Sequence, residues 1–169
     1  MSVTVTVNDT AVGVSVDAVP RYYGAFYDTL DQPNAGATSV NLMKFRTTDF
    51  SNGVSIVDDT KITMANAGVF NIQFSAQVFK DDGGNDIIDV WLRKNGNNVA
   101  NTNTEVIISG NEIRSFIAWN FLVQAEAGAY YQLVWFSADT LLYLEAKDAA
   151  SNPTRPAIPS VILTVNQIA

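Results

Sequence analysis

Several residue types and patterns are missing from this chain, and each absence excludes a class of function. Cysteine and histidine are both absent, which rules out disulfides and thiolate chemistry and removes the commonest general base and metal ligand. No apolar run approaches the ~20 residues of a membrane helix, and no basic, apolar secretory leader opens the chain. The net charge is −7 without a Lys/Arg cluster, so we expect neither nucleic acid nor a membrane as a partner.

What the chain does contain is strict two-residue alternation, clearest in the segment Gly68–Lys80. Its apolar and polar residues take turns without a slip, and since successive strand side chains point to opposite faces, this predicts a β-strand with one buried and one wetter face. The apolar set is Phe70, Ile72, Phe74, Ala76 and Val78, and the polar set is Asn71, Gln73, Ser75 and Gln77. We place this strand at the centre of a single domain.

Similar short patterns recur along the chain between turn signals. Asn95-Gly96 is a strong two-residue hairpin signal, because both residues tolerate positive φ. No window keeps helical apolar spacing, so we predict an all-β, antiparallel jelly-roll sandwich of about ten strands. The further predicted strands are 42–46, 54–57, 62–64, 88–92, 106–108, 115–123, 130–136, 141–144 and 160–168, with a turn at 51–53.

The N-terminal residues 1–20 differ in texture from the domain that we place at 21–169. They carry alternating valines but no aromatic residue: Val3, Val5, Val7, Val12, Val14 and Val16. Two interpretations stay open. The segment is either an edge hairpin completing the domain or an arm that adds a strand to the sheet edge of a partner.

Two groups of carboxylates are candidate sites. Asp81, Asp82, Asp86 and Asp89 surround a Gly-Gly turn as a calcium loop does, but their spacing does not match the known helix-loop-helix calcium motif. Glu145 with Asp148 could imitate a glycosidase pair, although nothing places them across a cleft. Without histidine or cysteine no catalytic triad or metal set can be assembled. We predict no metal, no cofactor and no enzyme.

Aromatic residues are more numerous than one small core needs. Trp135 and Phe136 cannot both face inward in a regular strand, and a second apolar face is what a subunit interface supplies. We predict that the interface includes Tyr22, Tyr23, Tyr27, Tyr131, Trp135 and Tyr143. The Asn-rich segment 95–103, near Trp91, is interpreted as an ordinary loop, with sugar binding as the alternative.

Several segments carry a resemblance to a known fold group. The run 61–74 leads through Gly68 into an aromatic strand, Lys94-Asn95-Gly96 makes a turn, and the apolar strands 120–123, 130–135 and 160–165 follow. This order resembles the jelly roll of tumour necrosis factor and of the globular heads of complement component one, subcomponent q. That fold group trimerises by packing aromatic-rich sheet faces around a three-fold axis, so the resemblance implies a homotrimer.

A narrower resemblance is to virion proteins of tailed bacteriophages. The segments 53–63, 91–96 and 152–160 look like parts of phage fibre and capsid-decoration modules. The resemblance implies a capsid cement or decoration protein on the virion surface, contacting the major capsid protein or another virion protein. The alternative is a receptor-binding or fibre-associated adhesin whose loops 81–86 and 95–103 contact host glycans. A secreted bacterial signalling or matrix module is less consistent with the missing leader.

Overall fold

The computed structural model of the chain describes residues 3–8, 11–16 and 21–169, the first two ranges as strands without their side chains. Over these ranges the chain forms seventeen strands and no helix, and hence no helix able to cross a membrane. The strands are β1 (Val3–Asn8), β2 (Ala11–Val16), β3 (Tyr23–Asp28), β4 (Asn41–Leu42), β5 (Thr47–Asn52), β6 (Val54–Val57), β7 (Lys61–Met64), β8 (Gly68–Lys80), β9 (Asn85–Lys94), β10 (Asn97–Asn98), β11 (Thr104–Ser109), β12 (Ile113–Ala125), β13 (Tyr130–Phe136), β14 (Leu142–Leu144), β15 (Ala150–Ser151), β16 (Thr154–Arg155) and β17 (Val161–Gln167).

A six-stranded antiparallel sheet is built around β8, as the alternation predicted. Its order is β12-β8-β17-β3-β5, with β14 also beside β8. β12 pairs with all thirteen residues of β8, from Gly68 opposite Ala125 to Lys80 opposite Ile113. The five apolar residues predicted to face inward are buried, and the four alternating polar residues are partly or fully exposed.

A seven-stranded antiparallel sheet forms the second layer. Its order is β10-β9-β13-β7-β6, with β11 beside β9 and β4 beside β13. Ile88, Val90 and Leu92 of β9 are buried, again as their alternation predicts. The two sheets enclose one apolar core, which the inward-facing residues of both layers fill.

The tight hairpin between β9 and β10 confirms the Asn95-Gly96 prediction. Both residues have positive φ, 51° for Asn95 and 82° for Gly96. Such a pair matches the right-handed twist of the strands that it joins.

The segment after β4 differs from its prediction. We expected a strand over 42–46 and a turn at 51–53, whereas only Asn41–Leu42 and then Thr47–Asn52 are strands. Met43 and Phe45 are buried as the alternation indicates. However, their N–H groups donate to Leu133 O and to Asp59 O. Asp59 belongs to a loop and not to a strand. The alternating burial of side chains therefore continues to Phe45, although strand pairing ends at Leu42.

Three of the predicted interface aromatics lie on the inner side of this sandwich. Tyr131 and Trp135 are 2% and 1% exposed and belong to the core, while Tyr22 is partly buried and packs against it. Assigning Tyr131 and Trp135 to a subunit interface is corrected here, because one chain already buries both. Phe136 faces away from Trp135, as the alternation requires.

The N-terminal segment forms a hairpin of its own. β1 and β2 pair antiparallel, with Val3 opposite Val16 and Val7 opposite Val12, and make a separate two-stranded sheet. The structure does not describe the side chains of this hairpin, which include the valines Val3, Val5, Val7, Val12, Val14 and Val16. Residues 17–20, which link the hairpin to the domain, also lie outside the described residues. The contact role predicted for them stays a prediction.

Candidate functional site

The outward side of the six-stranded sheet exposes large apolar side chains, and we call it the assembly face. Phe116 and Leu122 of β12 are 69% and 63% exposed, and Phe50, Ile162 and Tyr23 follow at 57%, 45% and 42%. Their strand partners place all five on the same side of the sheet. Large apolar side chains exposed together on one face of a sheet typically mark an interaction site.

The assembly face has two apolar patches at its opposite edges. Phe116 and Leu122 lie on the edge strand β12, while Tyr23 and Phe50 pack edge-to-face at 6.0 Å on β3 and β5. Trp119 belongs to the inward register but is 52% exposed, because β12 is the edge strand of this sheet and no other strand of the described residues pairs with its outer side. Two different patches on one sheet can meet each other between copies of the chain.

Polar residues of β8 separate these patches. Asn71, Gln73, Ser75 and Gln77 form the wetter face that the alternation predicted. Asn120 Nδ2 donates to Asn71 Oδ1 at 3.1 Å and ties this polar stripe to β12. The assembly face is therefore amphipathic, with a hydrogen-bonding stripe between two apolar edges.

Of the six predicted interface aromatics, three lie on this side of the molecule. Tyr23 and Tyr27 point outward from β3. Tyr143 packs edge-to-face on Phe79 at 5.4 Å beside the outward side of β8. Phe116 and Leu122 were missed, although they place large apolar residues on the same alternation of β12 as the polar Asn120, which is a signal of an outward face that is partly covered.

The acidic turn after β8 is organised around a buried lysine. Lys80 is fully buried, and its Nζ contacts Asp82 Oδ1 and lies 3.0 Å from Asp86 Oδ2. It also donates to three backbone oxygens, those of Asp82 at 2.8 Å, Gly83 at 2.6 Å and Gly110 at 3.4 Å. Burial lowers the pKa of Lys80, but the hydrogen bonds and charges of both carboxylates outweigh it and raise the pKa above the usual lysine value.

This arrangement changes the interpretation of the acidic residues. Carboxylate oxygens of Asp82, Asp86 and Asp139 lie within 4.8 Å of one another, so two of the four residues considered for calcium do meet, with a third that the sequence did not suggest. Asp89 is not one of these three carboxylates and accepts a hydrogen bond from Asn103. The Lys80 ammonium already supplies a cation to Asp82 and Asp86.

Glu145 is engaged in an ion-pair cluster. Its carboxylate accepts two hydrogen bonds from Arg114, at 2.7 and 2.9 Å, and lies 3.5 Å from Lys147 Nζ. Burial raises the pKa of Glu145, but the hydrogen bonds and charges of Arg114 and Lys147 together lower it by more. The pKa of Glu145 therefore falls below the usual value. A glycosidase general acid needs the opposite shift.

The outward side of the seven-stranded sheet carries a concave site, which we call the groove. Its walls are formed by Asp89 and Trp91 of β9, Phe136 of β13, Asn98 of β10, and Asn101 and Asn103 of the loop that follows β10. Its cavity measures about 520 Å³, within the usual range for small-molecule sites. The sequence pointed to Trp91 and the 95–103 loop, whereas Phe136 joins them only through the pairing of β9 with β13.

Comparisons with known proteins support the fold. No protein-family model matches the chain, and no curated protein matches it. The chain is 10% identical to the globular domain of a zebrafish Complement 1qA protein, over 89% of this chain and 97% of that one, with a TM-score of 0.50. It is also 10% identical to murine APRIL, over 88% of this chain and 100% of that one, with a TM-score of 0.57. The all-β jelly-roll prediction is confirmed.

Proposed function

We propose that the chain is a non-enzymatic structural protein that assembles as a homotrimer through its assembly face. The observation that carries this proposal is the set of large apolar side chains exposed there, from Phe116 at 69% to Tyr23 at 42%. Leaving them in water costs roughly 25 cal/mol for each Å² of apolar surface. Interfaces that bury such surface between permanent partners commonly remove roughly 2,000 Å² or more.

The arrangement of the patches favours a closed ring over a two-fold dimer. The β12 edge and the β3/β5 edge are different surfaces, and a contact between them is heterologous. Heterologous contacts form rings when the rotation closes. The number of subunits in the proposed ring, three, is taken from the trimer that the sequence resemblance implies.

The finer proposal is a cement or decoration protein on the capsid surface of a tailed bacteriophage. Its support is the sequence resemblance together with the N-terminal hairpin, a two-stranded sheet with an unpaired outer edge on each strand among the described residues. Such edges can add a strand to the sheet of a capsid protein. Three hairpins on one trimer would bind a capsid lattice multivalently, so weak single contacts suffice.

The trimer is tested by light scattering on purified protein. We expect three times the 18.3 kDa mass of one chain, and a chain carrying Phe116→Asp and Leu122→Asp should be a folded monomer. Ile107→Asp is the matched control, since Ile107 is 60% exposed on an edge strand of the other sheet. It should remain a trimer, and a monomeric wild-type chain would refute the proposal.

The virion location needs a separate test. Antibody labelling of intact phage particles should decorate the head, and labelling confined to the tail or absent from particles would contradict the capsid role. Deleting residues 2–19 should leave a folded trimer with weakened capsid attachment. Unchanged attachment would remove the hairpin from the mechanism.

A further inference from the structure

The groove lies within one chain and on the sheet opposite the assembly face. Phe136 stands directly opposite Asp89 in the β9–β13 ladder, and Trp91 stands opposite Val134. Trp91 and Phe136 are therefore diagonal neighbours on the outward side, within reach of one ligand. A second cavity of about 330 Å³ shares Asp89 and Phe136 with the groove and is also lined by Glu105 and Asp139. The two cavities therefore lie side by side on the same face.

Hydrogen bonds hold the groove in shape. Trp91 Nε1 and Arg93 Nε both donate to Asn98 Oδ1 at 2.8 Å, which orients the indole ring and the amide. The loop is tied down by Thr102, whose Oγ1 accepts from Leu92 N at 3.1 Å and donates to Val99 O at 2.8 Å. The site is thus preformed, which reduces the ordering cost of binding.

Polar atoms of the groove remain available to a ligand. Asn103 Nδ2 donates to Asp89 Oδ1 at 2.7 Å. Within residues 21–169, no hydrogen bond uses Asp89 Oδ2, Asn98 Nδ2 or Asn103 Oδ1. These atoms offer one donor and two acceptors beside two aromatic rings.

We propose that the groove binds an uncharged oligosaccharide. A pyranose has an apolar C–H face that packs on an aromatic ring and equatorial hydroxyls that both donate and accept, which matches Trp91 and Phe136 flanked by amides and a carboxylate. The carboxylates that line the two cavities, Asp89, Glu105 and Asp139, outnumber the nearby guanidinium of Arg93, which disfavours phosphate or sialic acid. The second cavity adjoins the groove and suits a ligand of more than one sugar unit.

The proposal does not depend on trimer formation, because one chain supplies every groove residue. We would probe the purified full chain on an array of neutral and sialylated oligosaccharides and titrate the strongest neutral hit by calorimetry. We expect neutral glycans to bind and sialylated forms of the same glycans to bind less. Absence of neutral hits, or preference for sialylated ones, would overturn the proposal.

Variants locate the binding within the molecule. Trp91→Ala should lower the affinity about tenfold or more, Trp91→Phe should keep part of it, and Asn103→Ala should reduce it without touching an aromatic ring. Trp119→Phe, on the other sheet, is the matched control and should bind as the wild type does. Equal affinity of Trp91→Ala and wild type, both folded by circular dichroism, would also overturn the proposal. The chain carrying Phe116→Asp and Leu122→Asp, which should be monomeric, should still bind the glycan. Glycan binding and trimer formation are therefore tested independently of each other.

Discussion

The two outward faces of the sandwich differ in how far their large apolar side chains are exposed and in what surrounds them. On the seven-stranded sheet, Trp91 and Phe136 line a concave site together with amides and a carboxylate, and both are only partly exposed. On the six-stranded sheet, Phe116 and Leu122 stand out from an edge strand, and more than 60% of each is exposed.

Shape and neighbouring chemistry therefore suggest different partners for the two faces. A concave surface with polar atoms suits a small hydrophilic ligand. A broad surface with apolar patches suits another protein surface, because only a large complementary partner can remove so much apolar area from water.

The largest expected effect is on the free energy of unfolding, and it compares two adjacent residues of β12, one facing the core and one facing outward. In a chain carrying Phe116→Asp, which should weaken the proposed contact between subunits, Phe121→Ala should lower the free energy of unfolding by about 3–5 kcal/mol. Phe121 is buried and stacks on Phe74 at 6.4 Å. Leu122→Ala, one residue along and facing outward, should change it by less than about 0.5 kcal/mol. Urea unfolding measures both values. Equal losses would mean that Leu122 packs in the core as Phe121 does, and that the assembly face is not exposed at this position.

A smaller loss is expected when the cation between the two sheets is removed. Lys80→Met leaves the carboxylates of Asp82 and Asp86 and three backbone carbonyl oxygens without their ammonium partner, so the melting temperature should fall and amide exchange over 81–86 should accelerate. Lys61→Met is the control, because its pair with Asp58 is largely exposed and should contribute little.

The same lysine has a defined pH signature. Its pKa is raised in the folded chain above 10.5, so its contribution to stability is complete below that pH and is lost as the pH rises through the raised value. The Lys80→Met chain should lack this alkaline loss. Identical alkaline profiles for the two chains would contradict the role given to Lys80.

The smallest effect concerns Glu145 beside the assembly face. Its pKa is lowered below 4.5, so its stabilising pair with Arg114 is present above that value and is lost as the pH falls through the lowered pKa. Glu145→Gln should lower the melting temperature at neutral pH by roughly 1–4 °C and leave it unchanged at strongly acidic pH. A constant difference at all pH values would point to packing instead of charge.

Particular elements show how far sequence patterns reach in this protein. The bounds of β8 and β13 and the Asn95-Gly96 turn were predictable, since each depends on alternation or on the φ tolerance of neighbouring residues. The strand predicted over 42–46 shortened to Asn41–Leu42, because the N–H of Phe45 finds its acceptor on a distant loop. No local pattern contains that information.

The amino-acid sequence by itself determined the strand alternation, the single central strand and the lack of histidine and cysteine chemistry, because these depend on nearest neighbours and composition. Only the tertiary structure decided which aromatics are core and which are surface. Tyr131 and Trp135 are enclosed by the opposite sheet, whereas Phe116 stands exposed on the outward side of the six-stranded sheet. Burial is set by what packs across a strand, and that partner is distant in the chain.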